Sequence, residues 1–442
     1  VLKAFGTAFK TPDLRKKILF SLAIIALYRL GAHIPAPGVL LKNINECLDP
    51  SRLSQSQADV YSLVNLFSGG ALLQLSVFAL GIMPYITASI IIQLLVVVIP
   101  RFEMLKKEGQ SGQNKLTQYT RYLTIGLAVL QATGIIALAR SGQLFPGCDP
   151  AKFPILANKD SIFSYVILVL TMTAGATVIM WFGELLTEKG IGNGMSLLMA
   201  ASIAARIPTE GASIASRGST ILIMMILLAL VVIVVVVYIE QAQRRIPVQY
   251  AKRMIGRKMY GGTSTYLPLK VNQSGVIPVI FASSLLYIPQ LITQLQDQSK
   301  APGTIRRFFE NYVINQGSWV HILLYLLLIV FFAYFYVAIT FNPEERADDM
   351  KRYGGFIPGI RPGRPTAEYL NYVLNRITLP GSLYLGVVAI LPNLLLTLTG
   401  PSGAQNFPFG GTAVLILVGV ALETVKQIES QLQQRSYEGF LR

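Results

Sequence analysis

Ser219-Thr-Ile-Leu-Ile-Met-Met-Ile-Leu-Leu-Ala-Leu-Val-Val-Ile-Val-Val-Val-Val-Tyr-Ile239 carries no charged side chain from end to end. About 20 apolar residues in a helix, rising about 1.5 Å each, cross the hydrocarbon core of a bilayer. Backbone N–H and C=O groups facing lipid have no water to bond, so such a run must satisfy them internally, as a helix. Ile162 to Phe182 reads the same way, and nothing between Arg376 and Glu423 is charged. The whole chain follows suit: of 442 residues 52% are hydrophobic and 14% charged, against roughly 25% charged in soluble domains. Working outward, the pattern predicts helices at 17–38, 75–99, 119–139, 161–187, 191–207, 219–240, 274–295, 319–341, 374–398 and 409–430. Pro84, Pro278, Pro380 and Pro392 fall inside these spans, where neighbouring helices can satisfy the freed carbonyls. The fold class is an all-α membrane protein of about ten transmembrane helices.

Lys and Arg set the orientation. With ten crossings, both termini share a side with the connections near 100–118, 188–190, 240–272 and 342–373, and most of the 38 basic residues lie there. Basic loops stay in the cytoplasm, so both termini are expected to be cytoplasmic. The net charge of +16 thus records topology first and nucleic-acid affinity second. His33-Ile34-Pro35-Ala36-Pro37-Gly38 follows the first apolar run where a cleavable signal peptide would carry small residues, so none is expected. Cys47 and Cys148 both fall in predicted external loops. An extracytoplasmic disulfide and two unpaired thiols are both open readings.

The helices divide into five at 1–207 and five at 219–442, joined by a hinge loop at 208–218. An odd number in each half means that homologous halves would be inverted in the membrane. Phe67-Ser68-Gly69-Gly70-Ala71 and Phe409-Gly410-Gly411-Thr412-Ala413 are the one faint internal echo. The connection at 240–272 sets Arg244, Arg245, Lys252, Arg253, Arg257, Lys258 and Lys270 against a single acid, Glu240. Alternation at Ile246, Val248 and Tyr250, with turn residues Gly261-Gly262, predicts a short hairpin. In the connection at 342–373, Phe356-Ile-Pro-Gly-Ile-Arg361-Pro-Gly cannot be helical and should present Arg361 on a stiff loop. Tyr61 to Leu73 is apolar, external and too short to cross. It is either the frayed start of the next helix or a re-entrant half-helix in a protein-lined cavity.

Chemistry is sparse. The two histidines, His33 and His321, have no metal-ligating company at suitable spacing, and His33 reads as a residue at a helix end. There is no phosphate-binding Gly-x-x-x-x-Gly-Lys-Ser/Thr, so the chain is not its own NTPase. Gly190-Ile-Gly192-Asn-Gly194 lacks dinucleotide-binding spacing and reads as a tight turn; Asn272-Gln-Ser274 matches a glycosylation sequon but lies on the cytoplasmic side. No acid–base or nucleophilic constellation is visible, so no catalytic residue, metal or cofactor is assigned. Mid-span polar residues are neutral (Thr87, Gln93, Gln131, Thr171, Thr173), where ion-coupled transporters place charge.

Tyr28-Arg29-Leu30-Gly31 through Ile34-Pro35-Ala36-Pro37-Gly38, Phe67-Ser68-Gly69-Gly70-Ala71, Phe78-Ala79-Leu80-Gly81-Ile82-Met83-Pro84-Tyr85-Ile86, Gly190-Ile191-Gly192-Asn193-Gly194, Gln243-Arg244-Arg245-Ile246-Pro247, Val276-Ile277-Pro278 and Pro358-Gly359-Ile360-Arg361-Pro362-Gly363 resemble, in order and spacing, the SecY family of protein-conducting channels. The likeness runs along essentially the whole chain. It implies two inverted five-helix halves closing like a clamshell around an hourglass pore. Ile82, Ile86, Met199, Ile280 and Ile416 match the family's apolar constricting ring, with Met199 departing from the usual branched aliphatic residue. Ile82 and Ile86, four apart, would share a helix face, and an apolar ring blocks ions by dewetting.

The segment at about 62–73, with Leu66, Phe67, Ser68, Gly69, Gly70 and Ala71, matches the plug that fills the outer funnel. In the family, helices two and three face helices seven and eight across a lateral gate into lipid, and Thr87, Gln131 and Asn272 resemble its neutral polar cluster; intramembrane hydrogen bonds are worth about 0.6–2 kcal/mol each. Arg244, Arg245, Lys252, Arg253, Arg257, Lys258 and Arg361 match the surface that docks the ATPase SecA or the ribosome. Small subunits SecE and SecG, preproteins with signal sequences and membrane lipid complete the implied partners, and a bacterial cytoplasmic membrane the implied location. The resemblance implies export of unfolded preproteins and release of apolar segments sideways. A secondary transporter for a small neutral solute fits the physics without the motifs, and an insertase that never exports would share the gate but would not need the ring and plug.

Overall fold

Prolines and glycines decide where the helices start and stop. The computed structural model describes residues 9, 11–47, 70–72, 74–140, 161–215, 219–250, 253–255, 258–260, 264–295, 312–313, 318–398 and 411–438. In chain order the helices are α1 (Pro12–His33), α2 (Leu41–Cys47), α3 (Met83–Val98), α4 (Pro100–Lys107), α5 (Gln110–Arg140), α6 (Ile162–Lys189), α7 (Gly194–Ala215) and α8 (Ser219–Gln241). After strands β1 (Gln243–Tyr250), β2 (Arg253–Ile255), β3 (Lys258–Tyr260) and β4 (Ser264–Lys270) come α9 (Ile277–Leu295), α10 (Trp319–Thr340), α11 (Pro343–Arg352), strand β5 (Gly355–Phe356), α12 (Arg364–Leu398) and α13 (Gly411–Glu438). Each of the ten expected segments coincides with a helix. Among the described residues, α5, α6, α10 and α12 contain stretches long and apolar enough to cross a membrane alone, and α3 with α4 forms a pair bent by 99°.

Several boundaries move, for local reasons. The first helix ends at His33 because Ile34 turns extended and Pro35 and Pro37 follow. The expected helix at 75–99 begins at Met83: residues 74–82 form successive turns, with Leu75 and Gly81 at positive φ (44° and 56°). Pro84 therefore opens α3 from its first turn, where its missing N–H costs nothing, and Pro278 does the same for α9. Pro380 and Pro392 do lie inside α12. The stretch 208–218, read as a hinge loop, is helical through Pro208 to Ala215. The third helix starts nine residues early at Gln110, and the ninth ten residues early at Arg364.

Between α6 and α7 the five-residue glycine string makes the tight turn expected. Gly192 has φ +83°, and a β-carbon on Gly194 would overlap the carbonyl oxygen of Gly183. Asn193 Oδ1 accepts from the N–H groups of Met195 and Ser196 and so caps α7. Small residues also let turn segments lie close against helices elsewhere: a β-carbon on Gly31 would run into Phe78, on Gly175 into the Val77 carbonyl, and on Gly419 into Val276.

The connection between α8 and α9 forms a sheet of order β4-β1-β5, all antiparallel. Ile246 and Val248 point inward as their alternation requires. β2 pairs with β3, Ile255 opposite Lys258, so that reversal falls between those two residues; Gly261-Gly262 lies outside the described residues. β5 comes from the connection at 342–373, after α11, and Gln249 and Tyr250 of β1 pair with its Phe356 and Gly355. The two connections are thereby one structure. Ile246, Leu269, Ile357, Leu370 and Leu374 bury this sheet on the ends of α10 and α12.

Candidate functional site

The segment after residue 69 is rooted before any helix begins. Ala71 and Leu72 are buried in a run of turns. Ser76 N–H donates to the Ala71 carbonyl at 3.1 Å, and Ala36 N–H and the Ile34 carbonyl bond Leu75 and Val77 at 3.0 and 2.9 Å. Ile34 to Ala36, just past the end of α1, thus grips Leu75 to Val77. Phe78 then stacks on Tyr28, centroids 6.1 Å apart, and meets Phe182 edge-on at 6.4 Å. Of the expected plug, Gly70 and Ala71 are turn residues; Leu66, Phe67, Ser68 and Gly69 lie outside the described residues. The possible Cys47–Cys148 pairing lies outside them too.

That rooted segment delivers Ile82 to the N-cap of α3, and Ile86 N–H bonds the Ile82 carbonyl at 3.2 Å, so the two side chains share a face. Met199 lies in the second turn of α7, Ile280 in the first turn of α9 and Ile416 in the second turn of α13. All five belong to one continuous apolar cluster, exposed by 2%, 6%, 3%, 3% and 0% in that order. The cluster draws on α1, α3, α6, α7, α8, α9, α10, α12 and α13. Residues of both halves therefore share this cluster, and all five candidates are buried within it.

Beside this cluster, α9 packs against both α3 and α5, the helix faces expected to part as a lateral gate. Its three polar candidates are not bonded to one another. Thr87 Oγ1 donates to the Met83 carbonyl at 3.0 Å within its own helix, and Gln131 is half-buried on α5. Asn272 is buried just ahead of α9: its Nδ2 donates to Glu240 Oε1 at the end of α8 and to the Gly275 carbonyl, while its Oδ1 accepts from Ser274. Sequence reading assigned Glu240 no role. Its signal was that it is the lone acid of a seven-cation connection. A second pair it missed joins α5 to α6, where Arg121 donates both from Nε and from Nη2 to the Glu184 carboxylate, each at 2.8 Å.

The basic residues sit on the sheet and on the turn beside it. Arg244 and Arg245 are exposed on β1, and the Arg245 guanidinium lies 4.9 Å from the Tyr266 ring centre. Arg253 and Lys258 fall on β2 and β3; Lys252 and Arg257 lie outside the described residues. Arg361 is exposed in the turn Ile357–Gly363, which has Gly359 and Gly363 at φ +84° and +106°. Buried Ile357 and Thr366 hold that turn from beneath, Thr366 Oγ1 donating to the Arg361 carbonyl at 2.9 Å. The two connections are thus joined by the pairing of β1 with β5.

Residues 76–425 match the family model described as SecY. Curated relatives named protein translocase subunit SecY, from Mycobacterium tuberculosis and from Streptomyces coelicolor, are each 63% identical, with 100% of this chain and 100% of each relative covered. Among solved structures, one described as a protein conducting channel aligns with a TM-score of 0.62 at 18% identity, over 94% of this chain and 91% of that one. Sec61 in a canine ribosome–channel complex from the endoplasmic reticulum aligns with a TM-score of 0.58 at 17% identity, with the same coverage. The likeness in fold accounts for the helical architecture, and the full-length identity settles its kinship: this multi-pass membrane chain belongs to the SecY family.

Proposed function

We propose that this chain is the protein-conducting channel of a general secretory translocase. It passes unfolded preproteins across the bacterial cytoplasmic membrane and releases apolar segments into lipid. The observation that supports the reading is that Ile82, Ile86, Met199, Ile280 and Ile416, drawn from four helices in both halves, all lie in one buried apolar cluster. As a pore ring this cluster keeps ions out by dewetting, yet gives a sliding polypeptide no polar site on which to stall. The halves are 1–207 and 219–442, the former carrying a plug at about 62–73. The gate lies between α9 and the α3–α5 wall, with Thr87, Gln131 and Asn272 as its polar residues, a reading supported by the packing of α9 on α3 and α5.

The chain itself performs no catalysis; force comes from partners. Arg244, Arg245, Lys252, Arg253, Arg257, Lys258 and Arg361 dock SecA or the ribosome on the cytoplasmic face, where Lys and Arg hold phosphate without reading sequence. A ribosome-bound Sec61 neighbour supports the ribosomal partner. SecE and SecG complete the complex, and the excess of basic residues on one side puts both termini in the cytoplasm.

The test is reconstitution with SecE in liposomes, followed by SecA, ATP and a signal-bearing preprotein. Protease-protected substrate that requires both SecA and ATP is the expected result. Vesicles that bind SecA yet protect nothing would leave insertion without export, and vesicles that bind no SecA would favour a carrier of small neutral solutes.

A further inference from the structure

Lys106 makes a bond that neither the ring nor the docking surface explains. Its Nζ donates to the backbone carbonyl of Ile339 at 3.0 Å, across 233 residues of chain and from one half to the other. That carbonyl is an orphan by construction. Ile339 lies in the last turn of α10, whose closing helical bond runs from Phe341 N–H to the Val337 carbonyl. The residue four beyond Ile339 is Pro343, which has no N–H to offer. The exposed carbonyls at a helix C-terminus also carry the negative end of its dipole, which a cation stabilises.

The donor is held on a strut. α4 leaves α3 at 99°, and Phe102 and Leu105 pack it onto Ile92, Val96 and Leu116 of α3 and α5. The Phe102 and Tyr119 rings lie 5.5 Å apart, and a β-carbon on Gly112 would strike the Leu105 carbonyl. α4 therefore moves with the α3–α5 wall, while Ile339 moves with α10. The adjacent Lys107 is already paired with Glu103 at 2.7 Å on α4 itself.

We infer that Lys106 is a positioning residue of the lateral gate, a latch that ties the α3–α5 wall to the end of α10 and must release before the wall parts. The inference rests on the gate reading above. A cation at a helix C-terminus shifts an equilibrium by about two- to five-fold. That is small enough for a strong signal sequence to override and large enough to penalise a weak one.

The test uses the reconstituted complex and two preproteins, one with an intact and one with a shortened apolar signal core, with initial export rates as the readout. Lys106→Met, which removes the donor and keeps the stem, should raise the weak-signal rate about two- to five-fold and change the strong-signal rate less. Lys106→Arg should behave as the unaltered chain, and so should Lys107→Met, which removes the same charge one residue away. A folding defect would lower both rates, whereas a lost latch raises one. An unchanged weak-signal rate in Lys106→Met, or an equal gain in Lys107→Met, would overturn the latch. A short crosslink between single cysteines on α5 and α9 tests the gate separately. If it blocks export while Lys106→Met is silent, only the latch falls; if export continues through the crosslinked complex, gate and latch fall together.

Discussion

Asn272 shows how a residue can be found for one reason and held for another. A neutral amide at the mouth of a predicted span was legible as a site. Its partner was not, because Glu240 lies 32 residues away and reaches it only after the chain has gone out through β1 and back through β4. No spacing rule encodes that return. In the fold, Asn272 ties the end of α8 to the start of α9, and Glu240 is largely enclosed around it. Asn272→Ala should therefore strand a desolvated carboxylate oxygen, costing about 1–3 kcal/mol; the check is the thermal midpoint of the purified complex. Glu240→Gln in the same background removes the stranded charge and should recover part of the loss. An unchanged midpoint in Asn272→Ala would mean that water replaces the amide freely.

Among the elements, apolar runs announced all ten helical segments, because a lipid-facing helix has few other compositions open to it. Their ends were less legible. Pro84 was placed inside a span and is a start, since only the turns of 74–82, with Leu75 at φ 44°, reveal that the helix begins at Met83. The sheet was half visible: Ile246 and Val248 betray β1 by alternation, but β5 is two residues long and belongs to the other connection. A strand so short has no period to read. The glycine string at 190–194, by contrast, was legible as a turn and is one. Gly194→Ala would force a β-carbon into the Gly183 carbonyl and prise α6 from α7. A loss of about 1–3 kcal/mol is expected, measurable as a lower denaturation midpoint, while Gly211→Ala, where a β-carbon meets open space, should be tolerated.

At the scale of the molecule, the sequence carried the basic asymmetry, the basic connection at 240–272, the Arg361 loop and the ordered motifs from which ring and gate residues were named. Beyond its reach was how those residues meet. Ile82 and Ile416 are separated by most of the chain, yet they share one cluster because α3, α7, α9 and α13 converge from opposite halves. Nor could it show that the connections at 240–272 and 342–373 are joined through the pairing of β1 with β5. The central claim is that polypeptide passes through that cluster. The most direct measurement places a photo-reactive side chain singly at 82, 86, 199, 280 and 416, and at the exposed Val234 and Leu230 on α8 as controls. A preprotein is then arrested mid-export and crosslinking to it is scored. The account predicts strong crosslinks from all five cluster positions and none from the two controls; crosslinks absent from the cluster, or equal at the controls, would contradict it.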